Sequence, residues 1–271
     1  MIPPEYDIEE LKKALLRGGM TDLRFSTSFA ERIVSATLNS EQFETLKEGF
    51  DLFRARNDYE EDGVSDPGRI HVYPLGGDEV CAPPAEKTQL GRFNAPRAPV
   101  LYLSTTPEVA LAEVRALPSD TCTVAHFKTQ KPSKIGKLLL HGREPLSVLL
   151  EDEPSSEGLE QWLLARTAEF VSRSVGVDGR DLHYRACVLI ASAFQEAGFD
   201  GVAYRTSFWS SGWSDEEKSK NENHVRAANI VFFDPNAAKP QSSFLRSINW
   251  KRPIAEQAGN SVWRAKPEED S

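Results

Sequence analysis

The sequence is short of the features that mark secreted proteins and metalloproteins. It has three cysteines in 271 residues, and they form no CxxC pair. An odd, widely spaced set gives little support for disulfides or a zinc site, so we expect buried, unreactive thiols. The five histidines are equally scattered and lack an HExxH spacing. We therefore expect no metal cofactor. The cysteines are Cys81, Cys122 and Cys187.

Long apolar runs and an excess of basic residues are also missing. The longest apolar candidates are short segments such as residues 230–233, whereas a membrane-spanning helix needs about 20 residues. The acidic N-terminus, MIPPEYDIEELKK, has no apolar signal segment. We expect a cytoplasmic protein without a membrane partner, although signal-independent export would leave no such mark. The 32 Lys and Arg against 41 Asp and Glu give a net charge of -9, which argues against direct nucleic-acid binding.

What remains is typical of a globular protein, with 39% hydrophobic and 27% charged residues. Apolar residues at helical spacing, broken at Gly18-Gly19, predict two or three helices within an N-terminal helical extension, residues 1–49. Residues 50–236 form the expected main domain. Residues 237–271, rich in Pro, Ser, Lys and acidic residues, are expected to be a tail.

Strands and helices mix in the main domain without regular βαβ alternation. This pattern favours an α+β fold with a largely antiparallel or split sheet. Thr105 and Glu108 match a capping box at the start of one helix, with Pro107 in its first turn. Strands are predicted at 52–56, 100–104, 122–128, 137–141, 201–205 and 229–234, helices at 107–117, 159–174 and 182–197, and polar loops at 57–68 and 207–228.

Two arginines stand at alternate positions of the first predicted strand. Period-two alternation places Arg54 and Arg56 on one face, opposite Phe53 and Ala55. Two guanidinium groups on one face can hold a pyrophosphate. A solvent-facing strand edge with two charges is the alternative interpretation.

A second group begins at Gly91-Arg92-Phe93-Asn94 and continues into a strand that carries Tyr102. An arginine in a loop rich in Gly and Pro is suited to ligand contact, whereas a strand tyrosine is more often a packing residue. On the next helix Glu113 lies beside an apolar stripe, where a carboxylate is costly unless it is paired or reaches water. Hydroxyl residues then follow the predicted strand at 201–205, and such residues are often turn formers.

Taken in order, these pieces resemble the RES-domain family, named for Arg, Glu and Ser. The most specific match is GR-x-N, followed by Tyr102 and then by Glu113 on the next helix. Phe53-Arg54-Ala55-Arg56, Pro83-Pro84, GFDGVAY and NIVFF also lie where longer members have them, so the resemblance covers roughly residues 50–236. Three features depart from the family pattern: Arg97 where a Gly is common, Gln89-Leu90 before Gly91, and about twenty extra polar residues at 208–228.

The resemblance implies an ADP-ribosyltransferase-like core with a split antiparallel or mixed β-sheet and flanking helices. It also implies an NAD-degrading bacterial toxin, with NAD as the substrate, inorganic phosphate or water as the acceptor, and an Xre-like antitoxin as the partner. A homodimer is compatible with it. Carried over by position, the catalytic set is Arg54, Tyr102, Glu113 and either Thr206 or Ser207, and the dinucleotide-binding set is Arg54, Arg56, Arg92, Asn94, Tyr102 and Asn229.

Two other functions stay open. The same scaffold can transfer ADP-ribose to a protein. Alternatively, the chain is a non-enzymatic partner-binding module in which Arg54, Arg92 and Glu113 form a buried ion network.

Overall fold

The computed structural model describes residues 2–62, 71–115, 120–140, 148, 153–206, 228–247 and 256–257. The chain folds as α+β, as the sequence predicts, around a mixed sheet that has nine strands in the described residues. One pair of neighbouring strands in the described sheet is parallel, and the other pairs are antiparallel.

The strands of this sheet are β1 (Phe43–Leu46), β2 (Asp51–Arg56), β5 (Leu101–Ser104), β6 (Thr121–Thr129), β7 (Ser133–Leu138), β8 (Gly201–Tyr204), β9 (Asn229–Phe232), β10 (Ala238–Ser247) and β11 (Glu256–Gln257). They lie side by side in the order β1-β7-β8-β9-β5-β2-β6-β10-β11, and β7 and β8 are the parallel pair. A separate pair of strands is formed by β3 (Glu60–Asp62) and β4 (His71–Tyr73). The helices are α1 (Ile8–Arg17), α2 (Met20–Asn39), α3 (Pro107–Glu113), α4 (Ser156–Ser172) and α5 (Val177–Glu196). Short 3₁₀ turns occupy Pro4–Tyr6, Gly77–Val80 and Ala85–Lys87.

The sheet is split between β2 and β5. These two strands share one residue pair, Phe53 with Ser104, whereas β2 pairs with β6 along its whole length. Beyond Phe53 the two strands form no further residue pair in the described structure. A cleft lies at this split, lined by residues of both strands.

Four helices cover one face of the sheet. Buried residues of α1, α2, α4 and α5 form one apolar cluster with Leu138, Val202 and Val231 of the sheet. Leu101 and Leu103 of β5 point to the other face, where they join a second cluster. Since side chains alternate along a strand, Tyr102 between them turns toward the helical side.

The predicted N-terminal extension and tail are both joined to this sheet. The break at Gly18 is confirmed, because this residue ends α1 with a φ of 69°. Residues 43–46, which the helical pattern includes, instead form edge strand β1. Residues 238–247, expected as part of a tail, form β10 and pair with β6. The strand was missed because its sequence, AKPQSSFLRS, is mostly polar and its burial is only partial.

Smaller predictions also need correction. The helix predicted at 107–117 ends at Glu113. Its N-cap is Thr106, whose hydroxyl accepts a hydrogen bond from the Val109 N–H at 3.2 Å. Thr105, the predicted cap, instead forms hydrogen bonds with the backbone of Ala228 across the sheet.

Part of the polar loop predicted at residues 57–68 forms β3. The strand predicted at 137–141 begins earlier, at Ser133; the polar insertion at 207–227 lies outside the described residues.

Close packing of β8 against β9 gives a first prediction. An added Cβ at Gly201 would lie 2.2 Å from the Val231 carbonyl oxygen, so Gly201→Ala requires the two strands to move apart. We expect a loss of about 1–3 kcal/mol in the free energy of unfolding, measured by urea denaturation. Gly76→Ala is the control, because nothing lies within 4 Å of that Cβ position. Equal midpoints for the two variants would contradict this account of the packing.

Candidate active site

The cleft at the split of the sheet is a cavity of about 560 Å³. This size lies within the range of sites for small molecules and cofactors. Its charged residues are five arginines and one carboxylate, Glu113. The lining residues are Phe53, Arg54, Ala55, Arg56, Leu90, Gly91, Arg92, Tyr102, Leu103, Ser104, Ala110, Glu113, Val114, Arg115, Val175, Arg180, Tyr184, Tyr204 and Asn229.

Arg54 is the least satisfied cation of the cleft. Its Nη1 atom is buried and has no hydrogen-bond partner among the described residues. Burial, with a smaller contribution from the Arg56 cation, lowers the pKa of Arg54 to about 9. A charge that has lost water without gaining a partner is costly. The site therefore favours an anion beside Arg54.

Arg56 is better anchored. Its Nη2 donates to the Cys81 carbonyl oxygen at 3.0 Å, and burial lowers its pKa as well. Arg54 and Arg56 share a face of β2, as the alternation in the sequence predicts. The cleft therefore holds two neighbouring guanidinium groups. Arg56 is fixed by a backbone carbonyl, and Arg54 has a buried donor without a partner among the described residues.

A hydrogen-bonded turn positions Arg92. The Gly91 N–H donates to the Asn94 carbonyl at 3.0 Å, and the Phe93 N–H donates to the Tyr102 hydroxyl at 2.9 Å. The Tyr102 hydroxyl in turn donates to Asn94 Oδ1 at 3.0 Å. Gly91 is required here, since a Cβ would lie 2.1 Å from the same Oδ1 atom.

These contacts divide the predicted residues of the turn into two roles. Asn94 is buried, its amide nitrogen donates to backbone carbonyls, and it is not among the cavity-lining residues. It shapes the turn and is not placed to touch a ligand. Tyr102 reaches the cleft with its ring, while burial raises the pKa of its hydroxyl above the usual 10.0 and keeps it a neutral donor.

Arg92 is held from two sides. Its Nη1 donates to the Val171 carbonyl near the end of α4, and its guanidinium carbon lies 5.5 Å from the centre of the Tyr204 ring. A helix C-terminus favours a cation, as does an aromatic face. Arg92 is therefore fixed in position before any ligand binds.

Glu113 is oriented by a chain of hydrogen bonds across the sheet. Asn229 Nδ2 donates to Glu113 Oε1 at 2.7 Å, and the Ser104 hydroxyl donates to Asn229 Oδ1 at 2.8 Å. Ser104 thus fixes which end of the amide faces the carboxylate. Glu113 is the last residue of α3, where the helix dipole disfavours a negative charge. Donation by Asn229 offsets part of that cost.

Reasoning from the sequence missed several residues of the cleft. Ser104 ends a predicted strand without a motif of its own, and Arg115, Arg180 and Tyr184 also stand in segments without a motif. Tyr184 comes from the middle of α5, and its sequence neighbour His183 is buried. Only the packing of α5 beside the cleft brings these residues to the site. For Arg180, the three arginines within residues 173–185 are the sequence signal that could have indicated a basic cleft wall.

The predicted hydroxyl residue is not resolved by the geometry. Thr206 is 5% exposed and follows β8, but it is not among the residues that line the cleft. Ser207, the other candidate, lies outside the described residues.

Arg97 explains one departure from the family pattern. Its φ is 63°, a left-handed conformation that favours glycine. Its N–H donates to the Thr88 carbonyl at 3.0 Å and closes the loop before β5. The position requires a turn that glycine adopts easily, and this chain makes the same kind of turn with an exposed arginine.

Among the residues that the structure describes, no cysteine or histidine side chain lines the cleft. Burial raises the pKa of Cys122 to about 11 and of Cys187 to about 12, so both are thiols at neutral pH. Cys81 is partly exposed, which corrects the expectation that all three are buried. No group of three or more His, Cys, Asp or Glu suited to a metal occurs in the described parts of the chain.

A split mixed sheet with an arginine-lined cleft and one oriented carboxylate forms a candidate anion-binding site. The family model of the RES domain matches the sequence over residues 52–251, so the chain belongs to the RES family. A search of curated proteins finds no match.

Among solved structures, one similar chain comes from the MbcT-MbcA toxin-antitoxin complex of M. tuberculosis. It is 10% identical, with a TM-score of 0.38, and the match covers 80% of this chain and 92% of that chain. Within the described residues, no helix combines the length and apolar character needed to cross a bilayer.

The hydroxyl of Tyr102 gives the prediction for this site. Tyr102→Phe leaves the Phe93 N–H and the side-chain oxygen Asn94 Oδ1 without their partner, which costs about 1–3 kcal/mol for each buried group. We expect a lower unfolding midpoint and, because the turn carries Arg92, weaker anion binding. Tyr73→Phe is the control, since no hydrogen bond of its hydroxyl is found in the described residues. An unchanged midpoint for Tyr102→Phe would show that the turn does not depend on this hydroxyl.

Proposed function

We propose that the protein degrades NAD by cleaving the bond between nicotinamide and ribose, and that it acts as a toxin by depleting NAD. The observation that carries the proposal is Arg54, a cation whose buried Nη1 has no partner among the described residues and which lines the same cleft as the oriented Glu113. A pyrophosphate supplies the missing anion. Membership of the RES family supports the choice of dinucleotide.

The arginines would bind the pyrophosphate. Arg54 and Arg56 lie on one strand face, and Arg92 enters from the turn that Tyr102 holds. Guanidinium groups donate in a planar fork that matches phosphate oxygens, so the pairing is bidentate and oriented. Because Arg56 and Arg92 are already anchored to backbone carbonyls, little side-chain order has to be gained on binding.

Glu113 would act at the ribose. Cleavage of the glycosidic bond builds positive charge on the sugar, as in other oxocarbenium-like transition states. An ionised carboxylate that is already oriented stabilises this charge without moving. The rings of Tyr102 and Tyr184 line the same cleft and provide aromatic surface for the nicotinamide.

The acceptor decides the product. Phosphate gives phosphorolysis, water gives hydrolysis, and a protein side chain gives ADP-ribosylation. The relation of the family to ADP-ribosyltransferases supports a common first step for the three outcomes, and the split sheet is consistent with that relation. Product analysis after incubation with NAD, with and without phosphate, distinguishes them.

The non-enzymatic alternative required an ion network of Arg54, Arg92 and Glu113. Among the described residues these side chains form no ion pair with one another: Glu113 accepts from Asn229, and Arg92 donates to Val171. The three side chains line the same cleft as separate groups and do not form the network that this alternative needs.

A partner protein fits the same proposal. A cytoplasmic enzyme that consumes NAD requires inhibition in the cell that makes it, and the family resemblance indicates an Xre-like antitoxin. Such a partner would act by covering the cleft and excluding NAD. Trp209 and Trp213 of the polar insertion are candidate contacts for it by sequence, and they lie outside the described residues.

Glu113→Gln tests the catalytic role. We expect the rate of NAD loss to fall by about 100-fold or more, because the amide cannot stabilise positive charge as a carboxylate does. Glu108→Gln is the matched control: it removes a carboxylate from the same helix at an exposed position. Nicotinamide release is followed by chromatography. Equal turnover by Glu113→Gln and the wild type would remove this residue from the mechanism.

Arg54→Gln tests the binding role through stability. Neutralising a cation with an unpartnered, buried donor relieves a cost, so the melting temperature without ligand should stay the same or rise. ADP-ribose, which carries the pyrophosphate, should raise the melting temperature of the wild type and not of this variant. Exposed Arg24→Gln serves as control and should behave as the wild type. A large loss of stability in Arg54→Gln, with ligand stabilisation retained, would support a structural arginine instead.

A further inference from the structure

Tyr204 brings to the cleft a hydroxyl that the proposed mechanism does not use. The residue ends β8, is 5% exposed, and lines the cleft. Its hydroxyl forms no hydrogen bond in the part of the chain that the structure describes, whereas the Tyr102 hydroxyl contacts both Phe93 and Asn94. Polar groups at buried positions are costly unless they are hydrogen-bonded. A tyrosine that is buried, without a partner and open to a cleft therefore indicates a ligand contact.

The strand register places Tyr204 close to Glu113. Tyr204 is the cross-strand partner of Asn229, and Asn229 is also the partner of Ser104. Residues paired directly across antiparallel strands share a face, with Cβ atoms about 4.5–5.5 Å apart. Tyr204, Asn229 and Ser104 therefore form one row across β8, β9 and β5. Because Asn229 donates to Glu113 from the middle of this row, the tyrosine and the carboxylate are neighbours in the cleft.

The ring of Tyr204 is fixed by contacts that do not involve its hydroxyl. The Phe93 ring centre lies 4.9 Å from the Tyr204 ring centre, and the guanidinium carbon of Arg92 lies 5.5 Å from it. Burial, with a smaller contribution from the Glu113 carboxylate, raises the pKa of the hydroxyl well above the usual 10.0. The hydroxyl is therefore a neutral donor, held between Arg92 and Glu113.

This position also bears on the hydroxyl that the sequence assigns to Thr206 or Ser207. Thr206 does not line the cleft. Tyr204 lies two residues earlier, at the end of the same strand, and does line it. A hydroxyl from this segment is thus available to a ligand, but from a different residue.

We propose that Tyr204 contacts the substrate, and that its hydroxyl donates a hydrogen bond to a hydroxyl oxygen of the ribose beside Glu113. The proposal rests on the proposed function, because it takes the ligand to be a ribose joined to a pyrophosphate. In NAD one methylene separates this ribose from the pyrophosphate, which matches a tyrosine held between Arg92 and Glu113. A ribose hydroxyl can donate to the carboxylate and accept from the tyrosine at the same time. These two bonds would fix the ribose while the nicotinamide leaves.

The test compares two ligands on the full chain by titration calorimetry. ADP-ribose carries the second ribose, whereas ADP ends at the pyrophosphate. We expect Tyr204→Phe to weaken ADP-ribose binding by about tenfold and to leave ADP binding unchanged, because only the ribose contacts the hydroxyl. The unfolding midpoint should equal that of the wild type, since the ring keeps its contacts with Phe93 and Arg92. Tyr73→Phe removes a hydroxyl outside the cleft lining and should bind both ligands as the wild type does.

Three results would overturn the role of Tyr204. The first is equal ADP-ribose affinity in Tyr204→Phe and the wild type. The second is an equal loss for both ligands, which would make Tyr204 a packing residue of the arginine site. The third is a wild type that does not bind ADP-ribose.

Failure of the proposed function gives a different result. If the wild type binds ADP-ribose through Tyr204 but releases no nicotinamide from NAD, the contact stands and NAD cleavage fails. If the wild type cleaves NAD and Tyr204→Phe binds ADP-ribose equally well, NAD cleavage stands and the contact fails.

Discussion

The cleft depends on the pairing of β2 with β5 stopping after one residue pair, Phe53 with Ser104. A continued ladder would close the sheet, and the side chains of Arg54 and Arg56 would have no cavity between the strands to face. Because the ladder stops, β2 stays attached to the sheet through β6, and β5 stays attached through β9. The two halves provide the opposite charges of the site: cations from β2 and a carboxylate bonded to β9.

Groups on these halves are held to different degrees. Arg92, Tyr102 and Glu113 are each fixed by hydrogen bonds to the backbone or to a neighbouring side chain. Arg54 is the exception, with a buried nitrogen that finds no partner in the described structure. Because Arg54 has no anionic partner among the described residues, binding of an anion beside it is favoured. The -9 net charge of the chain does not alter this, since the lining of the cleft is locally cationic.

The amino-acid pattern predicted the parts of the site that lie on regular elements with a short-range signal. Alternation placed Arg54 and Arg56 on one face. The resemblance to the RES family grouped Arg92, Tyr102 and Glu113, and all three line the cleft. It failed where tertiary contact decides the role. Asn94 was taken for a ligand contact, yet its amide closes a turn. Strand β10 was missed because pairing with β6, and not apolar periodicity, defines it. Arg180 and Tyr184 reach the cleft only because α5 packs there.

The most direct test of the central claim is a crystal structure of the full chain with ADP-ribose. The account predicts a pyrophosphate oxygen within hydrogen-bond distance of Arg54 Nη1, with the free ribose on the side of Glu113. ADP-ribose bound outside the cleft, or Arg54 still without an anionic partner in the complex, would contradict it.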